Sequence, residues 1–226
     1  MMRATHEVYD DRKAEIEFYF SVMADMDDSE KDVIHTIDNQ RFFRIMKSNF
    51  LLMLYNLVEA TFTTGILEIY EQVNKDQCSY ESLIDELQTL WRDYQIREVY
   101  SATSGLVTYT NRMRKVVNDI TQKTPLILRG EMLDTEGNLN AKKIKEICDK
   151  HQIRYRLTDD RPKLGKLDEV KRKRNSLAHG EESFSRCARN LTLQDLELTK
   201  NIVLRFIGEI LDGMEKYCSQ KLYLRT

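Results

Sequence analysis

The 226-residue chain is 41 % hydrophobic and 32 % charged, with a formal net charge of -2. That is enough apolar matter for one packed core and too polar a chain for a membrane-embedded protein. With only 2 Pro and 8 Gly it lacks the turn residues of a β-sandwich or barrel, and a collagenous or low-complexity chain is excluded as well. Long helices joined by few loops remain. A first helix is predicted from about Val8 to Met26, with Ile16, Phe20 and Met23 on one face, before the polar break Asp27-Asp28-Ser29. A long second helix is predicted from Ile37 to about Asn74. Its centre is apolar almost all round, which marks a helix buried in a bundle, and Gly65 is a possible bend. Ser79 is the expected cap of a third helix carrying Leu83, Leu87, Leu90 and Trp91.

A fourth helix should follow Ser104 and run through Val107, Met113, Val117 and Ile120. Then the pattern fails at Pro125, Gly130 and the Glu136-Gly137-Asn138 turn signal. Asn140 is the expected N-cap of a short helix ending near His151. The alternation Ile153, Tyr155, Leu157 predicts a short strand. Helical periodicity resumes through Leu167, Val170 and Leu177, and Gly180 stands where a helix C-terminus wants glycine. The last helix should open on a capping box at Thr192 and Asp195 and reach about Tyr217.

The reading is therefore one all-α domain over 1–226. Residues 1–35 read as an N-terminal helical extension, and about 121–163 as an insertion or cap on the bundle. No apolar signal core opens the chain, and the run Phe50–Val58 is far short of the ~20 residues that span a bilayer. The expectation is a cytoplasmic chain, away from the membrane, whose four cysteines stay reduced.

Charge is unevenly spread. Residues 1–38 hold eleven Asp/Glu against four Lys/Arg, whereas 150–174 hold ten Lys/Arg against four Asp/Glu. A basic stretch in a near-neutral chain is a candidate polyanion contact, and equally a solvated helix face. Phosphate-binding loops, dinucleotide-binding glycines, nucleophile elbows and H-E-x-x-H zinc motifs are all missing from the sequence. The four histidines are scattered, so no metal or other cofactor is expected.

One segment stands out, Lys171-Arg172-Lys173-Arg174-Asn175-Ser176-Leu177-Ala178-His179-Gly180. An Arg fork can hold a phosphodiester and stabilise the charge that grows at phosphorus. A nearby His, titrating near neutrality, can move the proton of an attacking hydroxyl or a leaving oxygen. RNA supplies its own nucleophile in the 2′-OH. Arg174 and His179 are thus the candidate catalytic pair, and Lys171, Arg172 and Lys173 the candidate RNA-binding cations. Five positions put Arg174 and His179 about 140° apart on an ideal helix. Both can address one phosphate if the helix ends at Gly180 and His179 swings off its last turn. The other reading is a terminal His on the helix dipole beside solvated cations.

Glu59 closes the apolar run of the second helix, where an ionised carboxylate needs a partner. It is either a surface break in that run or a carboxylate that orients Arg174 or polarises His179, with Asn56 one turn earlier on the same face. The aromatics Tyr9, Phe18, Tyr19 and Phe20 read as core or interface residues rather than base-stacking platforms.

The Arg-polar-x-x-x-His segment at a helix end resembles the R-x(4–6)-H motif of the HEPN superfamily, and in particular bacterial HEPN-like nucleases of toxin and antiphage conflict systems. Supporting stretches are Leu54-Tyr55-Asn56-Leu57-Val58-Glu59, Gly137-Asn138-Leu139 and Asn175–Phe184, and the resemblance covers most of 37–220. It implies a HEPN-type up-and-down helical bundle that forms a homodimer. Two such motifs would face each other in one composite site that cuts RNA without a metal, leaving a 2′,3′-cyclic phosphate. It carries Arg174, His179 and the adjacent Asn175 into the site; Glu59 is a candidate there from its place in the apolar run alone. It also implies a toxin or defence effector, for which an antitoxin or defence-system protein is a natural partner. The same superfamily allows a non-catalytic nucleotide-binding, RNA-binding or partner-docking module, and a purely structural helical adaptor stands beside both.

Overall fold

A computed structural model of the chain describes residues 2–29, 37–100, 106–133, 135, 139–156 and 165–225. Among these are eight α-helices: α1 (Arg3–Ser29), α2 (Ile37–Lys75), α3 (Asp85–Tyr100), α4 (Leu106–Thr121), α5 (Ala141–His151), α6 (Gly165–Ala178), α7 (Phe184–Cys187) and α8 (Leu193–Ser219). Two short 3-10 turns, Tyr80–Ser82 and Gly130–Met132, join them. The all-α expectation holds.

The second helix is the axis of the bundle. Phe50, Leu54, Leu57, Phe62, Ile66, Ile69 and Val73 are all fully buried and together cover about half of the helix circumference. Its length and composition alone would suit a membrane span, yet 56 % of its most apolar window is covered by the rest of the fold. Helices α1, α6, α7 and α8 all pack on it. The N-terminal helix is a full member of this core rather than an appendage, since Met2, Ile16 and Met23 are buried. It runs antiparallel to α2. At one end the Thr5 N–H donates to Glu68 (2.9 Å), and at the other the Tyr19 hydroxyl donates to the Met46 carbonyl (3.2 Å). The helix continues through Asp27-Asp28-Ser29, which does not break it. Tyr19 and Phe20 pack on Phe50, and Tyr9 reaches the Leu204 carbonyl, while Phe18 is 71 % exposed.

Local signals close α8 as expected. Thr192 accepts from the Asp195 N–H (3.1 Å) and Asp195 accepts from the Thr192 N–H (2.9 Å). Gly65 serves close approach between helices, because a Cβ there would sit 2.4 Å from Met214 Sδ on α8. Buried Lys200 of α8 is held by Glu17 (2.6 Å) and by the face of Phe20.

The middle segment is tied to the bundle by polar side chains. Asn74 exchanges two hydrogen bonds with the Leu128 backbone (2.8 and 2.9 Å), taking the place of a strand neighbour. His151, fully buried, accepts from the Tyr70 hydroxyl at Nε2 (2.9 Å) and donates from Nδ1 to the Ile147 carbonyl (2.7 Å). Burial pushes its pKa down to about 4, so it is a neutral structural group. Asn140 caps α5 as expected, accepting from the Lys143 N–H.

Three local expectations are corrected. Residues 153–156 form no strand: Gln152 adopts a left-handed φ of 55°, and the chain then crosses α8 where a Cβ on Gly213 would meet the Arg154 carbonyl at 2.7 Å. Leu157, the last member of that alternation, lies outside the described residues, as do Ser104 and Gly137-Asn138. Ser79 does not cap α3. It precedes the Tyr80–Ser82 turn without a side-chain cap, and Leu83 pairs with Leu224 instead of entering the helix. On α4, Val107 and Val117 are 74 % and 52 % exposed, while Val116 and Ile120 pack inward.

All four cysteines are free and buried. Burial pushes every thiol pKa up, to about 12 for Cys148 and about 11 for Cys218.

Candidate functional site

The site is built on the last two turns of α6. The buried residues of that helix are Leu167, Val170 and Leu177. A spacing of three, seven and ten puts position 174 on the same inward stripe. Arg174 therefore points into the bundle where an apolar side chain would normally go. It stays half-buried, with its guanidinium carbon 4.7 Å from the centre of the Tyr55 ring on α2. One of its five N–H donors goes to the Asn175 side-chain oxygen (3.0 Å).

Glu59 lies one turn beyond Tyr55, partly exposed, with its Oε1 3.5 Å from the Tyr55 hydroxyl. It makes no ion pair with Arg174 or His179 among the described residues and meets the Tyr55 hydroxyl instead. Burial, reinforced by the Glu59 charge, pushes the Tyr55 phenol up, while Arg174 and the Leu139 backbone N–H pull the other way. Asn56 is exposed and takes no part in this group.

The helix ends as the glycine signal predicts. The Gly180 N–H bonds Leu177 O (3.2 Å) and the Glu181 N–H bonds Ser176 O (2.9 Å), with Gly180 at φ 70°. These two bonds define a Schellman cap with Gly180 in the left-handed position and His179 as the C-cap residue that follows Ala178. His179 does not swing off the turn, because its own N–H keeps the helical bond to Asn175 O (2.9 Å). Its side chain is exposed and makes no hydrogen bond or ion pair among the described residues. Arg174 and His179 thus keep the helical separation of about 140° and face different ways.

The remaining cations divide. Lys171 and Arg172, with Asn175, Ser176, Asp168, Glu181 and the Asn140 cap of α5, line an open groove of about 360 Å³. Lys173 is instead taken up inside the fold, donating to the Cys187 carbonyl (2.6 Å) and pairing with Glu182 (3.5 Å). It latches α6 to α7 and is not a wall of the groove. Among the described residues no cluster of three or more His, Cys, Asp or Glu offers a metal site. A larger cleft, about 630 Å³ between α3 and α5, shares no residue with the groove. Several of its charges are already engaged within the chain, Asp85 by Arg225 and Glu86 by Gln152.

Sequence reading missed Tyr55 as a partner of Arg174. The signal was the phase of Arg174 with Leu167, Val170 and Leu177, which requires something inside to receive it.

An all-α bundle that carries an Arg-x4-His segment at a helix end has the build of a HEPN-type domain. The sequence matches the profile of the MAE_28990-like HEPN family over residues 5–223, and the chain belongs to that family. The match includes most of α1, in keeping with the packing of that helix into the core. No curated protein and no solved structure matches the chain.

Proposed function

We propose that the chain is a metal-independent endoribonuclease that acts as a homodimer, in the role of a toxin or antiphage defence effector of the cytoplasm. Arg174 holds the scissile phosphate and stabilises the developing negative charge. His179 takes the proton of the 2′-OH as its oxygen bonds to phosphorus. The P–O5′ bond then breaks and the 5′-oxygen takes the proton back from the protonated histidine, giving a 2′,3′-cyclic phosphate and a 5′-hydroxyl. Lys171 and Arg172 carry flanking phosphates, and Asn175 holds the guanidinium in place.

The observation that carries the reading is the divergence of the two motif residues. One chain alone turns Arg174 and His179 to different sides of the helix end, with His179 exposed and making no hydrogen bond or ion pair among the described residues. Two helix ends related by a two-fold axis bring two Arg and two His around one phosphate, through an isologous interface.

The test is incubation of purified protein with RNA in EDTA. Cleavage to cyclic-phosphate ends that disappears in both Arg174→Ala and His179→Ala supports the reading. Intact RNA with retained, salt-sensitive binding supports the second reading, a non-catalytic RNA- or nucleotide-binding module.

A further inference from the structure

A half-buried arginine usually meets a carboxylate, which takes both prongs of the fork and neutralises it. Arg174 has no such partner: no ion pair to it exists among the described residues. It rests instead on the face of Tyr55, 4.7 Å from guanidinium carbon to ring centre. The difference matters for an anion. A carboxylate occupies the in-plane N–H donors as a pair, whereas an aromatic ring takes none of them in that way and leaves those beyond the one given to Asn175 for a phosphate.

Tyr55 is itself held in place. Its residue is 2 % exposed on the axial helix α2. Its hydroxyl is aimed at Glu59, one turn on, and the Leu139 backbone N–H, just before the cap of α5, also faces it. The hydroxyl end of the ring thus meets groups from two separate parts of the fold, and Arg174 lies over its face.

We propose that Tyr55 is a positioning residue for Arg174: its ring fixes the guanidinium plane so that the edge donors point at a phosphodiester. Glu59 and Leu139 act on the site only by fixing that ring. The proposal rests on the reading of Arg174 as the phosphate-holding residue, and it accounts for Glu59 without placing it in contact with substrate.

The experiment has a spectroscopic arm and a kinetic arm. In the wild-type chain the Arg174 side-chain protons should be shifted upfield by the ring current. The shift should persist in Tyr55→Phe and vanish in Tyr55→Leu. Values of a free arginine in the wild type would overturn the proposal, whatever the chain does to RNA. In the kinetic arm, Tyr55→Leu should lower cleavage at saturating RNA roughly tenfold, the scale of a partly desolvated cation–π contact. Tyr55→Phe, which keeps the ring, should recover most of that loss. A Tyr55→Phe variant as impaired as Tyr55→Leu would assign the effect to the hydroxyl and overturn the platform. With a 2′-O-methyl RNA as probe, Tyr55→Leu should weaken binding in the wild-type background and add nothing in an Arg174→Ala background. Equal effects in both backgrounds would also overturn it. A wild-type chain that leaves RNA uncut would instead overturn the nuclease reading, and the ring-current shift would still decide the role of Tyr55.

Discussion

Acid should weaken this fold through His151. The imidazole is buried as a neutral acceptor of the Tyr70 hydroxyl, and burial lowers its pKa from the usual 6.5 to about 4. Between those values the unfolded chain binds a proton that the folded chain refuses. Stability must therefore rise with pH across the window and fall as pH drops from about 6.5 to about 4. At about 1.4 kcal/mol per pH unit, the full loss is about 3 kcal/mol. That is a large share of the ~5–15 kcal/mol that holds a domain together. The assay is urea unfolding followed by far-ultraviolet circular dichroism at several pH values from 7.5 to 4. The comparison is His151→Gln, whose amide oxygen can still accept from Tyr70 but cannot titrate. The variant should start lower at pH 7.5 and lose less on acidification. The carboxylates that titrate in the same range are common to both chains and cancel. Parallel stability curves for the two proteins would refute the reasoning.

Four further outcomes are expected. Arg174→Ala and His179→Ala should each abolish RNA cleavage with helicity unchanged, while Arg172→Ala weakens binding more than turnover. Mixing wild-type chains with excess His179→Ala chains under exchange should lower activity by more than dilution explains; strict proportionality to the wild-type fraction would mean that each chain holds a complete site. Lys173→Met strands the Cys187 carbonyl and should cost about 1–2 kcal/mol in denaturant unfolding, against less than about 0.5 kcal/mol for Lys171→Met. Gly213→Ala forces the Arg154 carbonyl away from α8 and should cost about 1–3 kcal/mol by the same assay.

Short-range chemistry made part of this architecture legible. The Thr192–Asp195 box, the Asn140 cap and the Gly180 terminus each depend on residues within a few positions, and each forms where its pattern stands. The apolar girth of α2 likewise announced a core helix. What escaped depends on distant segments. Ile153 and Tyr155 alternate because one side of an extended stretch lies on α8, not because a strand has a neighbour. Ser79 fails as a helix cap because the C-terminal residues Tyr223 to Arg225 return to pair with residues 82–84 and push the start of α3 to Asp85. Val107 and Val117 continue an apolar stripe that is wider than the surface α4 has to cover. In the site, the motif residues were legible by type. Their separation around the helix followed from the spacing, but that His179 keeps its helical bond and that Tyr55 supports Arg174 did not, because these depend on how the helix end closes and on which stripe of α6 faces α2.

The four buried thiols give the molecule a set of internal clocks. Cys78, Cys148, Cys187 and Cys218 sit respectively after α2, in α5, in α7 and at the end of α8. None is exposed, and burial keeps each of them protonated, hence inert to an alkylating reagent while its surroundings stay closed. Each becomes reactive only when its own neighbourhood opens. The order in which the four acquire label under native conditions would date the loosening of the middle segment, the α6–α7 latch and the central layer against one another, with no engineered probe.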